Sequence, residues 1–231
     1  KWELYNLNED FSEANDLAAE NPEKLEELKA MLAEAFDKYG VLPLDDRGAG
    51  RLAIAKPPVP GAEEGAKTYP LNPCAIRISE PAALPMKNRS WKLTAKVETE
   101  GAGTEGVIMG FGGIAAGIVL YLEAGVPVFD YNLFEKHTVV KGSEPLPEGE
   151  AEVTVDFEYQ GAEGEAGKGA VITLSVNGET VAEGSMESTV AGRFGIDTFG
   201  IGEDSGQPVT AAYQPPFAFT GGIESVVVEV E

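Results

Sequence analysis

The sequence has little of the residues from which metal centres, disulfides and nucleophilic sites are built. It contains one cysteine, Cys74, and one histidine, His137. A single cysteine excludes an intrachain disulfide, and a single histidine excludes a metal site with several imidazole ligands. No histidine lies near Cys74 in the sequence to act as its base, so we expect a buried structural thiol rather than a nucleophile.

Basic residues and long apolar runs are also scarce. Lysine and arginine together number 17 against 39 acidic residues, so the formal net charge is −22. Such a surface repels phosphate backbones and anionic headgroups, and neither nucleic acid nor a membrane is expected as a partner. No apolar run reaches the roughly 18 residues that a membrane span needs. We expect a soluble acidic protein, and its composition leaves the compartment open.

The N-terminal part has the pattern of an amphipathic helix. Asn21 and Pro22 form an N-cap followed by proline at the first helical position, and Gly40 is a typical end signal. Between them, apolar residues recur at spacings of three and four: Leu25, Leu28, Leu32, Ala35 and Tyr39. We predict a helical segment within residues 1–48, followed by a linker over residues 49–86 with one short strand at 74–79.

From residue 87 onward the pattern has a period of two. Trp91, Leu93 and Val97 alternate with polar residues, and residues 151–158 alternate in the same way. Asn177-Gly178 is a typical two-residue hairpin turn. Further strands are predicted at residues 107–111, 117–122, 128–132, 137–140, 171–176, 180–183, 193–196 and 223–230. The fold class is therefore mainly β: an antiparallel β-sandwich of the jelly-roll, concanavalin-like lectin type over residues 87–231, preceded by the helical segment.

A sandwich of this type suits a carbohydrate-binding module. Such a module needs exposed aromatic side chains against which sugar rings stack. Tyr131 and Tyr213 are the candidates, whereas Trp91 lies on the apolar side of its strand and is expected in the core. His137, at the start of a strand, is a candidate ligand contact, with a plain surface strand residue as the alternative.

Residues 197–206 have the composition of a loop and carry three carboxylates. Asp197, Glu203 and Asp204 are candidate calcium ligands, because calcium prefers oxygen donors. Their spacing does not match an EF-hand loop, and a solvated turn is the alternative. The two glycines of this loop open no helix, so it does not predict a phosphate-binding site.

No residue is predicted to be catalytic. A glycosidase would need two carboxylates about 5 Å or about 6.5–9.5 Å apart in a cleft. The sequence alone selects no pair from 39 acidic residues. An independent enzyme on a jelly-roll fold is nevertheless an alternative, since the fold does not determine the function.

Seven stretches, taken in their order, resemble the C-terminal part of long bacterial arylsulfatases. They are WELYNLNED at residues 2–10, NDLA at 15–18, VLPLDDR at 41–47, KNRSW at 87–91, GRF at 192–194, GEDSG at 202–206 and PFAFTG at 216–221. The resemblance covers most of the chain and is weak over residues 48–86.

Sulfatases carry a Cys/Ser-x-Pro/Ala-x-Arg motif whose first residue becomes formylglycine, beside a calcium ion held by Asp and Asn. Cys74 is followed by Ala75, Ile76 and Arg77, and this order does not fit the motif. The resemblance therefore implies a non-catalytic accessory region whose partner is an N-terminal sulfatase domain, with residues 1–48 as the end of that domain. A lectin-type carbohydrate-binding module is the alternative function.

Overall fold

The computed structural model describes residues 1–44, 66–73 and 75–231. The chain divides into two units, Lys1–Ala55 and Lys56–Glu231. Within the described residues, the first unit contains one α-helix, α1 (Pro22–Tyr39), and the second contains the β-strands. The predicted order of a helical segment followed by β-structure is confirmed. Cys74, with its expected buried thiol, lies outside the described residues.

Helix α1 lies where the sequence signals predict it. Pro22 occupies the first turn, where its missing N–H would have no partner in any case. Gly40 follows the helix in the left-handed conformation, with a φ of 61°. The side chain of Asn21 makes no capping hydrogen bond, so only its position was predicted correctly. No residue of α1 is buried, and Leu28 and Met31 are 39% and 57% exposed.

The described part of the second unit contains twelve strands. They are β1 (Thr68–Leu71), β2 (Ile78–Ser79), β3 (Trp91–Glu100), β4 (Gly106–Gly112), β5 (Ala116–Glu123), β6 (Val126–Leu133), β7 (Lys136–Lys141), β8 (Glu148–Tyr159), β9 (Lys168–Val176), β10 (Glu179–Ser188), β11 (Thr198–Ile201) and β12 (Gly222–Val230).

The strands form two antiparallel sheets. Sheet A has the order β1-β12-β3-β8-β9-β10, and sheet B has the order β2-β11-β4-β5-β6-β7. All strand pairs within the sheets are antiparallel. The inner faces of both sheets contribute side chains to one apolar core. The predicted antiparallel β-sandwich is confirmed.

Sheet A has one buried and one solvent-facing side. Along β3, Trp91 and Leu93 are buried, whereas Lys92 and Lys96 are exposed. β8 alternates in the same way and places Val155 opposite Leu93. This alternation follows from the pleat of a strand, which sends successive side chains to opposite faces.

The central strands of sheet B are buried on both sides. Every residue of β4 is buried, as are those of β5 up to Leu122. One side faces sheet A, and residues 202–221, here called the cover segment, lie over the other. The contacts of the cover segment are made by Val209, Tyr213 and Phe217 with Val107, Val119, Tyr121 and Val128. Burial on both sides accounts for the nearly continuous apolar sequence of β4 and β5.

Aromatic side chains fill the centre of the sandwich. Trp91 stacks on Phe157 with ring centroids 4.9 Å apart, and it meets Phe129 edge-on at 6.0 Å. Trp91 is 3% exposed. The expectation that Trp91 belongs to the core is confirmed, and it offers no surface for a sugar ring.

The prediction of a strand at residues 193–196 is wrong. That stretch has no strand structure, and β11 begins two residues later, inside the segment predicted as a loop. β11 pairs with β4, where Gly200 lies opposite Gly110. Both glycines suggest a turn when the sequence is read locally, but here the pairing with β4 determines the conformation of this short stretch.

The predicted linker also differs from the structure. β1, within residues 49–86, pairs with β12 at the edge of sheet A. Of the strand predicted at 74–79, only Ile78 and Ser79 are in β2. Pro70 lies in β1, and proline signals a break in sequence although an edge strand tolerates it.

Candidate functional site

Tyr131, predicted as a ligand contact, lies in the core between the sheets. It is 4% exposed and lies 5.9 Å from Phe157 between ring centroids. Its hydroxyl accepts a hydrogen bond from the Val190 N–H at 2.9 Å. Burial raises the pKa of Tyr131 to about 12. The structure therefore places Tyr131 away from any surface that a ligand could reach, because its side of β6 faces sheet A.

Tyr213, the second aromatic candidate, lies in the cover segment and is 5% exposed. Its hydroxyl donates a hydrogen bond to Asp204 Oδ2 at 2.6 Å. Burial, followed by the bond to Asp204, raises the pKa of Tyr213 well above its ordinary value. Its ring lies 5.4 Å from that of Tyr121 on sheet B, so it holds the cover segment in place.

His137 lies on β7, and its side chain is 32% exposed. Its Nδ1 lies 2.9 and 3.0 Å from the two carboxylate oxygens of Asp130, a residue that is 1% exposed. Burial raises the pKa of Asp130, while its hydrogen bonds with His137 and Thr210 oppose that shift. Because Thr210 belongs to the cover segment, this group also joins the segment to sheet B.

Of the three predicted calcium ligands, Asp204 is buried, whereas Asp197 and Glu203 are half-buried. Asp204 is buried against Tyr213, and burial raises its pKa, with the nearby charge of Asp197 adding to the shift. Asp197 accepts a long contact of 3.4 Å from the Gln207 N–H. Within residues 1–44, 66–73 and 75–231, no group of three or more Asp, Glu, His or Cys side chains could hold a metal ion. Calcium binding by Asp197, Glu203 and Asp204 stays a prediction.

A cleft that the sequence did not predict lies where the edge strands of the two sheets meet. β7 ends sheet B and β10 ends sheet A, and the two strands contact each other. At this contact, a Cβ on Gly184 would lie 2.5 Å from Val140 Cγ2, so the absence of a side chain permits the approach. The cleft beside it, here called the edge cleft, is lined by Leu133, Lys136, Thr138, Ser185, Met186, Glu187 and Ser188.

An exposed aromatic residue borders the edge cleft. Phe134 and Glu135 form the two-residue turn between β6 and β7, and the cleft residues Leu133 and Lys136 flank them. Phe134 is 65% exposed. Among the described residues of the second unit, it is the only aromatic side chain that is exposed.

The turn adopts a conformation that its residues disfavour. Phe134 and Glu135 have φ angles of 50° and 69°, in the left-handed region where Asn-Gly is the usual pair. A non-glycine residue there costs about 1–2 kcal/mol. The surrounding structure must therefore hold the turn in place.

The buried side chain of Asn132 holds this turn by hydrogen bonds. Its Oδ1 accepts the Glu135 N–H at 2.8 Å, and its Nδ2 donates to the carbonyls of Ile114 at 2.9 Å and Val209 at 3.0 Å. Asn132 is 1% exposed, where hydrogen bonds are little weakened by water. One buried amide thus ties the turn to the β4–β5 loop and to the cover segment.

Among known proteins, the chain is similar to solved structures and to no family model or curated sequence. No family model matches the sequence, and no curated protein matches it. Mouse laminin α1 domains LG4-5 are similar with 14% identity and a TM-score of 0.45, over 71% of this chain and 41% of that chain. The Ruminococcus gnavus IT-sialidase CBM40 bound to α2,3 sialyllactose shows 16% identity and a TM-score of 0.44, over 71% of this chain and 90% of that one. Caenorhabditis elegans galectin LEC-6 shows 10% identity and a TM-score of 0.37, over 74% and 99%.

The edge cleft has the side chains of a binding site for a hydroxylated ligand. Lys136, Thr138 and Ser188 lie on the strand faces that point to the cleft and provide an ammonium group and two hydroxyls, whereas Ser185 and Glu187 alternate with Met186 and lie on the other face of β10. Neither Lys136 nor Glu187 forms an ion pair with any residue that the structure describes. The described lining holds a single carboxylate, which is one fewer than glycosidic hydrolysis by an acid and base pair requires.

The sequence held one signal for this site. An aromatic residue stands where the turn between two alternating strands calls for Asn-Gly, and such a position is exposed in a hairpin. The other half of the cleft, on β10, is some 50 residues away in sequence and gave no signal.

The described residues contain no helix long and apolar enough to cross a membrane.

Proposed function

We propose that the β-sandwich is a non-catalytic carbohydrate-binding module whose ligand lies in the edge cleft against Phe134. The observation that carries the proposal is an exposed aromatic side chain, held in a disfavoured backbone conformation beside a cleft lined with hydroxyls. The candidate residues are Phe134 for stacking and Lys136, Thr138 and Ser188 for hydrogen bonds.

Phe134 supports this proposal because nothing in the fold requires an aromatic residue there. An exposed phenyl ring contributes little to folding, and the φ of 50° makes phenylalanine costly at this position. Strain of this kind is typical of positions that serve binding. A sugar ring presents apolar C–H groups on one face, and an aromatic ring can cover them.

The polar lining supports the same ligand class. Sugars offer many hydroxyls that both donate and accept, and a cleft with Lys136 and the hydroxyls of Thr138 and Ser188 can satisfy both roles. A few placed polar groups beside an apolar contact are the usual composition of a small-molecule site. Leu133 and Met186 provide that apolar contact.

The proposal is tested with three variants of the full chain on a glycan array, followed by calorimetric titration of the tightest binder. Phe134→Asn removes the ring but tolerates the left-handed conformation, so we expect about a tenfold loss of affinity with the fold intact. Phe134→Tyr keeps a ring and should retain binding. Val139→Ala is the matched control, since Val139 is 53% exposed on the adjacent strand β7 and does not line the cleft.

Two outcomes contradict the proposal. The first is an array on which no glycan binds the native chain. The second is unchanged affinity in Phe134→Asn, which would place the ligand elsewhere. Circular dichroism of each variant confirms that the sandwich has folded.

An accessory role beside a sulfatase catalytic domain is a second proposal. It rests on the sequence resemblance, and α1 supports it because no residue of the helix is buried and Leu28 and Met31 are exposed. An apolar stripe of this kind is typical of a helix that packs on another surface. We expect no hydrolysis of an aryl sulfate by the purified chain, with or without calcium, and turnover of that substrate would contradict the proposal.

A further inference from the structure

We infer that the ligand of the edge cleft is a sugar that carries an uncharged alkyl aglycone, and this inference rests on the proposed carbohydrate-binding function. The aglycone lies along three residues beside the cleft, Phe134, Ile114 and Ile196, here called the apolar strip. They are 65%, 50% and 96% exposed. Among the described residues of the second unit, they are three of the four large apolar side chains that are at least half exposed. Exposed apolar surface is therefore concentrated in this strip.

The apolar strip follows one end of sheet B. Ile114 lies in the loop between β4 and β5, and Phe134 lies in the turn between β6 and β7. Ile196 lies two residues before β11, whose beginning meets the end of β4 because the two strands are antiparallel. Neighbouring strands are about 4.8 Å apart, so the three to four spacings from Ile196 to Phe134 amount to about 14–19 Å. That length suits an alkyl chain attached to one sugar.

The side chain of Asn132 joins the part of the strip that lies next to the cleft. Its amide nitrogen donates to the Ile114 carbonyl at 2.9 Å, and its amide oxygen accepts the N–H of Glu135 at 2.8 Å. Glu135 follows Phe134 in the turn, and Phe134 itself borders the edge cleft. A ligand that stacks on Phe134 therefore has the β4–β5 loop directly beside it.

The far part of the strip is joined to the β4–β5 loop by close packing. A Cβ on Gly113 would lie 2.3 Å from Asp197 Oδ2, so these two residues are in contact. Ile114 and Ile196 are their immediate neighbours in sequence. The loop residues 113–115 carry no charged or polar side chain, so an apolar chain can cross the loop without removing a charge from water.

The area of the strip favours a small apolar group over a protein partner or a second copy of the chain. A stable protein interface buries about 800 Å² on each partner, whereas a whole aromatic side chain supplies about 150–250 Å². Three side chains, of which two are partly covered, stay below that area. The net charge of −22 disfavours an anionic membrane surface, but it does not oppose an uncharged alkyl chain.

The expected gain in affinity follows from the apolar area that the chain buries. Complete removal of one methylene group from water corresponds to about a fourfold gain in affinity. A chain that lies on an open strip is covered on one side, so we expect about a twofold gain for each methylene group. An octyl glycoside should then bind about 100-fold more tightly than the methyl glycoside of the same sugar.

The test is a titration of the full chain with methyl, butyl, hexyl and octyl glycosides below their micelle concentrations. The sugars are glucose, galactose and the terminal sugar of the tightest glycan on the array. The measured quantity is the ratio of octyl to methyl affinity, which we expect to be about 100 in the native chain. Equal affinities along the series would show that the inference is wrong while carbohydrate binding stands. If neither a glycan nor a glycoside binds, the proposed function itself is wrong.

Two variants assign the gain to the strip. Ile114→Ser and Ile196→Ser should each lower the octyl-to-methyl ratio about threefold or more, because each removes apolar surface beneath the chain. Val171→Ser is the matched control, since Val171 is 37% exposed on β9 of sheet A, and its ratio should equal that of the native chain. A ratio that is unchanged in both isoleucine variants would place the alkyl chain elsewhere and overturn the inference. Circular dichroism confirms that each variant has folded.

Discussion

At the scale of single residues, two buried carboxylates hold the cover segment on sheet B. Asp130 binds His137 and Thr210, and Asp204 accepts the hydroxyl of Tyr213. Burial raises the pKa of both carboxyl groups, because removal from water disfavours the charged form. These groups therefore tie the stability of the covered face to pH.

The sign of that dependence can be tested at Asp204. A pKa raised in the folded state means that the folded protein binds its proton more tightly than the unfolded chain, whose aspartate titrates near about 4. Asp204 thus favours folding most at acidic pH, and this contribution falls as pH rises through about 4 toward the raised folded pKa. Asp204→Asn cannot ionise, so native stability relative to this variant should fall as pH rises from about 4 to 7.

Urea unfolding of both proteins across this pH range measures the effect. Tyr213→Phe is the complementary variant, because it removes the hydrogen bond that favours ionised Asp204. It should make the loss of stability with rising pH steeper. A stability difference between the native chain and Asp204→Asn that is independent of pH would contradict the assignment.

At the scale of elements, the edge cleft depends on how closely β7 and β10 approach. Gly184 is the residue of β10 that allows the approach, since an added Cβ would lie 2.5 Å from Val140 Cγ2. Val140 is itself buried in the core and is not free to move aside. The two edges therefore have to separate when Gly184 is enlarged.

We expect Gly184→Ala to lower the free energy of unfolding by about 1–3 kcal/mol, as overpacking of a core does. It should also weaken glycan binding, because the walls of the cleft move apart. Gly192→Ala is the matched control, since its Cβ would meet nothing within 4 Å. Urea midpoints of both variants decide the matter, and equal stability of Gly184→Ala and the native chain would show that the edges are not in contact.

Prediction of these elements succeeded where the local pattern is strong. β3 alternates along its whole length, and the predicted turn at Asn177-Gly178 joins β9 to β10 with positive φ at both residues. It failed at β1 and β11, which are four residues each and contain Pro70 and Gly200. In such short strands the partner strand, rather than the local residues, determines the conformation.

At the scale of the whole molecule, the charge of −22 opposes the compact state through self-repulsion. Added NaCl screens this repulsion, so we expect the midpoint of thermal unfolding to rise with salt at neutral pH. Each kcal/mol gained corresponds to roughly 2–4 °C for a chain of this size. Scanning calorimetry measures the shift. Near the pI of about 4.3 the net charge approaches zero, and the salt effect should largely disappear there. A salt effect of equal size at both pH values would contradict self-repulsion as its cause.

The aromatic residues that the sequence analysis named as ligand contacts are not the one on which the proposed site is built. Carbohydrate binding by exposed aromatic residues was the alternative function, yet Tyr131 and Tyr213 are buried, and the exposed aromatic side chain among the described residues of the second unit is that of Phe134. Tyr131 shares one side of β6 with Phe129 and Leu133, whereas Asp130 and Asn132 lie on the other side, so the alternation within this strand itself indicates a core position for Tyr131. In β6, both sides are covered, one by sheet A and the other by the cover segment.

The sequence by itself determined that residues 87–231 form stacked antiparallel sheets and that the surface is strongly acidic. The alternation of apolar and polar residues along each strand indicates the sheets, and the amino-acid composition indicates the charge of the surface. Only the tertiary structure decided that β7 meets β10, that residues 202–221 cover sheet B and that Phe134 stays exposed. Those features depend on the order of strands in each sheet and on contacts between residues far apart in sequence, which no local pattern encodes.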